Sequence, residues 1–312
     1  MNSGRHISKA LATSTAASNR VQISSRNPRT VWEAMQSDPT IPKDRLLPPV
    51  SVDITNPSTL ESAFKDARMV ISLVGIMHGS PQDFERIQWK GAENVAIAAR
   101  NAGAKLVHFS AIGADSTSSI PYVKTKGLAE QSVLQISPEA TIIRPSLVFG
   151  PEDDFFNRFA KLARVMPFLP VFGGGQSRFQ PVYVGDLARL IELISRDDTA
   201  VQKALSGKII EAGGPQVFTY RELMQFILET TGRKRPILSL PFAIGVIQGT
   251  ILEKFPVNLF TVTRAQVEQL KSDNIVDPQL SDKQLSLQGV LSEFIDRPLR
   301  KIHEIVPAYL KS

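Results

Sequence analysis

The sequence predicts an α/β fold: a doubly wound parallel sheet wrapped by crossover helices, followed by a smaller, mainly helical lobe. Three observations predict it. Short apolar runs alternate with helical stretches from the start to about Gly150, the pattern of strands joined by crossover helices. Several of those runs are hydrophobic throughout, as strands covered on both faces must be. Beyond Gly150 the alternation loosens into a tail too long to be a linker.

Taken in order, strands are expected at Arg20 to Ser24, Val50 to Ile54, Met69 to Val74, Lys105 to Ser110 and Ala140 to Pro145. Helices are expected between them at Pro28 to Gln36, Ser58 to Lys65, Asp83 to Ala102 and Tyr122 to Gln135. Asn56 can cap the second of these, Pro57 suits a first turn, and Glu61 favours the positive end. Further helices are expected at Phe155 to Met166, Asp186 to Ser195, Tyr220 to Thr231, Phe242 to Leu252, Thr263 to Lys271 and Leu291 to Ile302, with a short strand at Lys208 to Glu211. Asp186 is expected to cap the helix it precedes. Phe155, Phe156 and Phe159 have the spacing of core or cleft wall.

The 312 residues, 42% of them hydrophobic, suffice for one large core or a core with an attached lobe. No apolar run reaches the roughly 18 residues of a membrane span. The nearest approach, Leu238 to Leu252, is broken by Pro241, Gly245, Gln248 and Gly249. With no cysteine, disulfides, thiolate metal sites and thiol nucleophiles are excluded. His6, His78, His108 and His303 are too scattered for a metal cluster, so no metal is expected; His108 reads as packing and His78 as solvent-exposed. The net charge of +6 is spread without a basic block or interleaved aromatics, which argues against nucleic acid. Met1 to Trp32 holds no acidic residue, a bias shared with mitochondrial transit peptides, but Val21 to Ser25 reads as a folded strand followed by a basic turn.

A sheet of Rossmann type begins with a buried strand leading into a Gly-rich turn whose amides hold a dinucleotide pyrophosphate. Here the first candidate strand comes after a helix. Gly4 and the residues to Leu11 resemble the last glycine of such a turn and its helix, so the first strand and most of the loop are expected to be missing. In the usual 3-2-1-4 order that strand is central, and its loss leaves two strands with unpaired buried edges, at about 1 to 3 kcal/mol per unsatisfied group. A mis-assigned start is the expectation, with a strand and glycine turn encoded upstream in frame.

The strongest chemical signal is Tyr122-Val123-Lys124-Thr125-Lys126 at a helix start, with Ser110 at the preceding strand end. Tyrosine and lysine four apart share a helical face, so the ammonium is expected to depress the phenol pKa and bind a cofactor ribose, while the serine orients a carbonyl or alcohol. The alternative is an ordinary surface pair.

With these residues in order the chain resembles the short-chain dehydrogenase/reductase superfamily. The runs Arg144 to Arg158 (RPSLVFGPEDDFFNR) and Arg178 to Ala188 (RFQPVYVGDLA), continued by Glu211 to Pro215 and Thr263 to Glu268, resemble one extended or atypical branch. It contains the Rossmann-fold accessory subunit of mitochondrial complex I, its bacterial relatives and a ubiquinone-biosynthesis accessory protein. The resemblance spans Gly4 to Leu310. It implies an NAD(P)-binding Rossmann domain at 1–150 and 179–212, and a smaller substrate or partner lobe at 151–178 and 213–312.

It also implies residue roles. Asp53 and Ile54 match the adenine contact, Arg26 the acceptor of a ribose 2′-phosphate, with Arg29 a possible helper, so NADP is preferred over NAD. Leu73, Val74 and Gly75 match the turn under the adenine ribose, where glycine permits close approach. Pro145 and Ser146 match the segment beside the nicotinamide. Asn157, Arg158 and Gln180 would face the substrate cleft or serve the lobe junction. The function implied is a nucleotide-binding protein of mitochondrial quinone metabolism, in ubiquinone biosynthesis or complex I assembly or stability, on the matrix side of the inner membrane and peripheral to it. The alternatives are an active NADPH-dependent oxidoreductase on a hydrophobic carbonyl or quinone-like substrate, or an epimerase, using Ser110, Tyr122 and Lys126. In the complex I subunit the tyrosine pattern is often degraded; here it is intact.

Overall fold

The computed structural model describes residues 3–252, 259 and 264–310. Its main sheet is parallel. Strands β1 (Ser24–Ser25) and β2 (Val50–Ser51) pair with each other, and β3 (Met69–Ser72), β4 (Lys105–Phe109), β5 (Thr141–Pro145), β6 (Ile209–Ala212) and β7 (Gln284–Ser286) form a second set in the order β7-β6-β5-β4-β3. Strand β1 is regular only over its last residues, but a bridge from Val21 to Leu46 extends its register backward. Strand β7 lies in a segment assigned above to the smaller lobe; it joins the main sheet because Gln284, Leu285 and Ser286 run in register with Ile209, Ile210 and Glu211.

Helices cover both faces, as a parallel sheet requires. On one side α1 (Ser3–Ala12) packs Ile7 and Leu11 against Leu187, Leu190 and Ile191 of a helix running from Val184 to Ile194. Thus the acid-free opening residues from Ser3 onward are folded into the core. On the same side α2 (Arg29–Gln36), which joins β1 to β2, packs Met35 into this cluster, and on the other side α3 (Pro57–Phe64), α4 (Gly91–Asn101) and α5 (Pro121–Ile136) bury Leu60, Val95, Ala99, Ala129 and Val133. A third apolar cluster holds Phe149, Phe156, Leu223, Met224, Ile227 and Val306, with Phe155 and Phe159 packed against it. In this cluster Thr219 and Glu222 form the reciprocal cap of the helix Tyr220–Thr230.

Several local expectations change. Asn56 occupies the cap position of α3 but its side chain accepts from the Ser58 hydroxyl instead of a helix amide, and Glu61 falls beyond the first turn. The helix expected over Asp83 to Ala102 is broken into a capped turn at Pro81–Asp83, a π-helical turn at Phe84–Lys90 and α4. No helix spans Leu291 to Ile302: the chain leaves Leu287–Phe294, passes through Asp296 at φ 51° and Pro298, and starts again at Ile302–Leu310. Of the helix expected from Thr263, Arg264–Gln269 is described and Thr263 lies outside the described residues. Asp186 does not cap its helix. It sits within the first turn, fully buried, and accepts from the Arg300 amide at 2.8 Å and Arg189 at 3.1 Å, tying the C-terminal segment to the main core.

Candidate functional site

In a parallel sheet all strands deliver their ends to one edge, and loops there converge on a common cleft. Here that edge gathers Arg26 after β1, Asp53 and Ile54 after β2, Leu73, Val74 and Gly75 after β3, Ser110 after β4 and Pro145 at the end of β5. These residues, with Gly4 at the start of α1 and with Tyr122 and Lys126 on α5, line a single cavity of about 1460 Å³. The proline at the first position of α5 suits a helix start and places Tyr122 and Lys126 on successive turns of one face.

The Lys126 ammonium donates to the carbonyls of Val74 and Phe109, each at 2.9 Å, bridging the ends of β3 and β4. Burial lowers its pKa to about 8, against an opposing effect of the Glu130 carboxylate. The Tyr122 phenol is raised to about 12 by desolvation, the reverse of the depression expected from a neighbouring ammonium, and Lys126 bonds two backbone carbonyls instead. The Ser110 hydroxyl is buried and finds no partner among the described residues, whereas the Ser110 amide is held by Ile143 O at 2.7 Å. A buried hydroxyl without a partner is costly unless a ligand completes it. A Cβ on Gly75 would lie 3.2 Å from Lys126 Nζ, so this glycine keeps the approach to the ammonium open. Asp53 accepts from Thr55 through both backbone and hydroxyl, which lowers its pKa, with Arg26 and Arg86 adding smaller attractions.

Other expected residues point elsewhere. Ser146 Oγ lies 2.7 Å from both Asn274 O and Oδ1 and accepts from the Gln180 amide at 3.2 Å. Gln180 donates to Gly214 O and accepts from Val276 N. Asn157 donates to Pro151 O and Asp153 O, and Arg158 to Leu259 O. None of these four side chains lines the cavity. They are occupied in holding backbone where the strands of the main sheet meet the later segments. Arg29 does not line it either. His108 is buried beside Ser72, and burial lowers its pKa to about 3, so the ring is neutral packing; His78 is exposed.

Four contributors were missed. Gln88, fully buried on the π-helical turn, donates to Tyr122 O and Thr125 Oγ1, each at 2.9 Å, and accepts from the Ile76 amide, joining α5 to the turn after β3. The same turn aims Phe84 at the Tyr122 ring edge-on at 6.2 Å. A π-helical turn leaves no periodicity distinct from α-helix in the sequence. Arg86 lines the cavity near Asp53. Gly127 is the fourth: a Cβ there would sit 2.2 Å from Ser116 N, so only glycine lets α5 cross the loop after Ser110 so closely. Its sole signal is a glycine inside a helical pattern.

The comparisons with known proteins agree with this geometry. A subunit of Arabidopsis thaliana called NADH dehydrogenase [ubiquinone] 1 alpha subcomplex subunit 9, mitochondrial, is 31% identical over 251 residues, 78% of this chain and 61% of the relative. A ceramide reductase of Caulobacter vibrioides is 28% identical over 241 residues, 76% of this chain and 70% of the relative. The chain thus spans about three fifths of the length of the mitochondrial relatives it matches. Among solved structures, the Citrobacter triphenylmethane reductase superposes with a TM-score of 0.69 at 19% identity, covering 99% of this chain and 96% of the other. The NADPH-dependent quinone oxidoreductase of Escherichia coli gives 0.69 at 17%, covering 100% and 97%. These structures establish a Rossmann-like fold. The model of the NAD dependent epimerase/dehydratase family matches residues 3–213, and to that family this chain belongs.

Proposed function

We propose that the chain is an NAD(P)-binding, short-chain dehydrogenase/reductase-like protein of mitochondria that works beside or within respiratory complex I, with the nucleotide serving mainly to organise the fold. The observation carrying this reading is the convergence of Lys126, Gly75, Asp53 and Arg26 on one cavity at the carboxyl edge of a parallel sheet. The residues fit a dinucleotide: the unpartnered Ser110 hydroxyl and the space kept open by Gly75 next to Lys126 are both explained by a bound ligand. Lys126 would take the ribose next to the nicotinamide in exchange for one of its carbonyl partners, Asp53 and Ile54 the adenine, and Arg26 a 2′-phosphate, which favours NADP over NAD. The amides of Ser3 and Gly4 at the start of α1 would face the pyrophosphate. Mitochondrial complex I subunits among the relatives support the location, and extend it to the matrix side of the inner membrane as part of the same proposal. A role through ubiquinone-biosynthesis partners is the other form of this reading. Among the described residues no helix is long and apolar enough to cross a membrane.

A second reading, an active oxidoreductase, is favoured by the intact trio and by the free Ser110 hydroxyl. The nicotinamide would supply or accept hydride. Ser110 would donate to a substrate carbonyl oxygen and Tyr122 would hold the proton exchanged at that oxygen, with its raised pKa keeping it protonated until substrate binds. Two measurements separate the readings: retention of the protein with complex I from detergent-solubilised mitochondria, and NADPH oxidation with quinone or hydrophobic carbonyl substrates. Tight nucleotide binding and complex I retention without turnover support the first reading. Turnover abolished by Tyr122→Phe supports the second, and absence of nucleotide binding removes both.

A further inference from the structure

The face of the main sheet under α5 carries more charge than nucleotide binding uses. Alternation along the strands sets which residues lie there. Leu106, Ile142 and Ile209 pack in the cluster shared with α3, α4 and α5, so His108, Arg144 and Glu211, each two residues further on, project to the same side. Arg144 and Glu211 are also direct neighbours across β5 and β6. Above them α5 brings Lys126 and Glu130 onto this face, one helical turn apart. Lys126, Glu130 and Glu211 are each 4% exposed. Arg144 Nε and Nη2 donate to the two oxygens of Glu130 at 2.9 and 2.6 Å, and Nη1 reaches Glu211 Oε1 at 3.4 Å. Two buried carboxylates thus share one guanidinium, and the trio carries one negative charge in excess.

An interior charge without a counter-ion is strongly unfavourable. The groups packed around the trio narrow the choice of partner. On α5, Tyr122 is a neutral phenol, pushed up to about 12 by burial. On β4, His108 is a neutral ring, lowered to about 3 by burial first and by the Lys126 charge second. The turn after β3 and the end of β4 offer only the carbonyls of Val74 and Phe109. Among the described residues Lys126 is the one buried ammonium, and it lies on this face. We propose that Glu130, Arg144 and Glu211 act together as the counter-charge of Lys126, positioning residues that keep the lysine of the nucleotide site an ammonium. Four side chains then alternate in sign, Lys126, Glu130, Arg144, Glu211, and sum to zero.

Each member has a distinct part. Glu130 is the near one: its carboxylate favours the ammonium, against the burial that disfavours it. Arg144 alone would cancel that support, because its fork neutralises Glu130. Glu211 restores the support by taking up part of the guanidinium charge. The orientation of Glu211 is set by the later part of the chain: Oε2 accepts from the Asp277 amide at 2.8 Å and Oε1 from Gln284 Nε2 at 3.3 Å. The segment that adds β7 to the sheet therefore also holds the outer carboxylate of the set. That the ammonium serves a dinucleotide rests on the function proposed above; the counter-charge itself does not.

The test titrates Lys126 directly. The full chain without nucleotide, its lysines labelled with carbon-13 at Cε, is followed by NMR from about pH 6 to 11, and Lys126→Met identifies the signal. The wild-type midpoint is expected at about 8. Glu211→Gln keeps an acceptor for the Asp277 amide and removes one charge, so the midpoint should fall by about half a unit or more, roughly a threefold loss of the ammonium-to-amine ratio at a given pH. Glu130→Gln removes the nearer charge and should lower it further. Arg144→Lys keeps the charge but not the fork, and should leave the midpoint within about 0.3 unit of wild type. A midpoint unmoved or raised in either glutamine variant that keeps the wild-type circular dichroism overturns the inference. So does a fall in Arg144→Lys equal to that in Glu211→Gln, which would assign the shift to lost packing. NADPH affinity is measured in parallel: the expected shifts in a chain that binds no NADPH count against the proposed function alone.

Discussion

The buried ammonium of Lys126 makes a quantitative prediction about stability. Its pKa falls from the ordinary 10.5 to about 8 on folding, so the folded chain releases this proton before the unfolded chain does. The unfolded state then binds more protons between pH 8 and 10.5, and stability rises with pH across that window. From pH 7 to pH 10 the gain is about 2.5 kcal/mol, worked from 1.36 kcal/mol per pKa unit. The cost of burying the charge is present in full below pH 8. The assay is urea unfolding of the wild type and of Lys126→Met at pH 7, 8, 9 and 10 without nucleotide. Other titrating groups are common to both proteins, so the difference between the two curves isolates Lys126. The wild type should gain on the variant by about 2.5 kcal/mol over this range. Parallel curves would refute the desolvated ammonium.

Three further outcomes test the framework around the site. Arg144 forks onto Glu130 at 2.6 and 2.9 Å and reaches Glu211 at 3.4 Å, both carboxylates being nearly inaccessible. Arg144→Met should therefore cost about 3–5 kcal/mol in denaturant unfolding, and a loss under 1 kcal/mol would show the cluster to be solvated. Gly127→Ala places a methyl against Ser116 N and forces α5 off the loop after Ser110, and since a shift of about 1 Å in a site costs on the order of a hundredfold, nucleotide affinity should fall steeply while far-ultraviolet circular dichroism stays unchanged. At Asp186, whose carboxyl is pushed up by burial, the Asn variant should be nearly as stable as wild type at neutral pH and Ala should lose about 1–3 kcal/mol, because only Ala strands the Arg300 amide. Equal losses for both variants, read by thermal melting, would point to charge pairing with Arg189 instead.

Much of the site was legible because the chemistry of a parallel sheet is written locally. Each strand of the first half ends at the carboxyl edge, so locating the strands located Ser110, while Asp53, Gly75 and Pro145 came from the family resemblance. Lys126 follows Tyr122 by one helical turn, and spacing alone gave their common face. Spacing did not give the electrostatics. Whether the ammonium meets the phenol or two carbonyls depends on where β3 and β4 end in space, and it is burial that moves the phenol pKa up. Gln180 and Ser146 show the complementary limit: polar residues in a family-like run could face a ligand or a backbone carbonyl, and only the segment carrying Asn274 and Val276 decides the matter.

By itself the sequence determined the α/β class, the order and direction of the strands through β6, and the absence of thiol chemistry, since these follow from periodicity, turn residues and composition. Tertiary structure alone decided that β7 extends the sheet and that a π-helical turn brings Gln88 and Phe84 onto Tyr122. The physical reason is range. Periodicity reports on neighbours within a turn or a strand, whereas edge pairing, desolvation and hydrogen-bond choice depend on groups that meet only after the chain has folded.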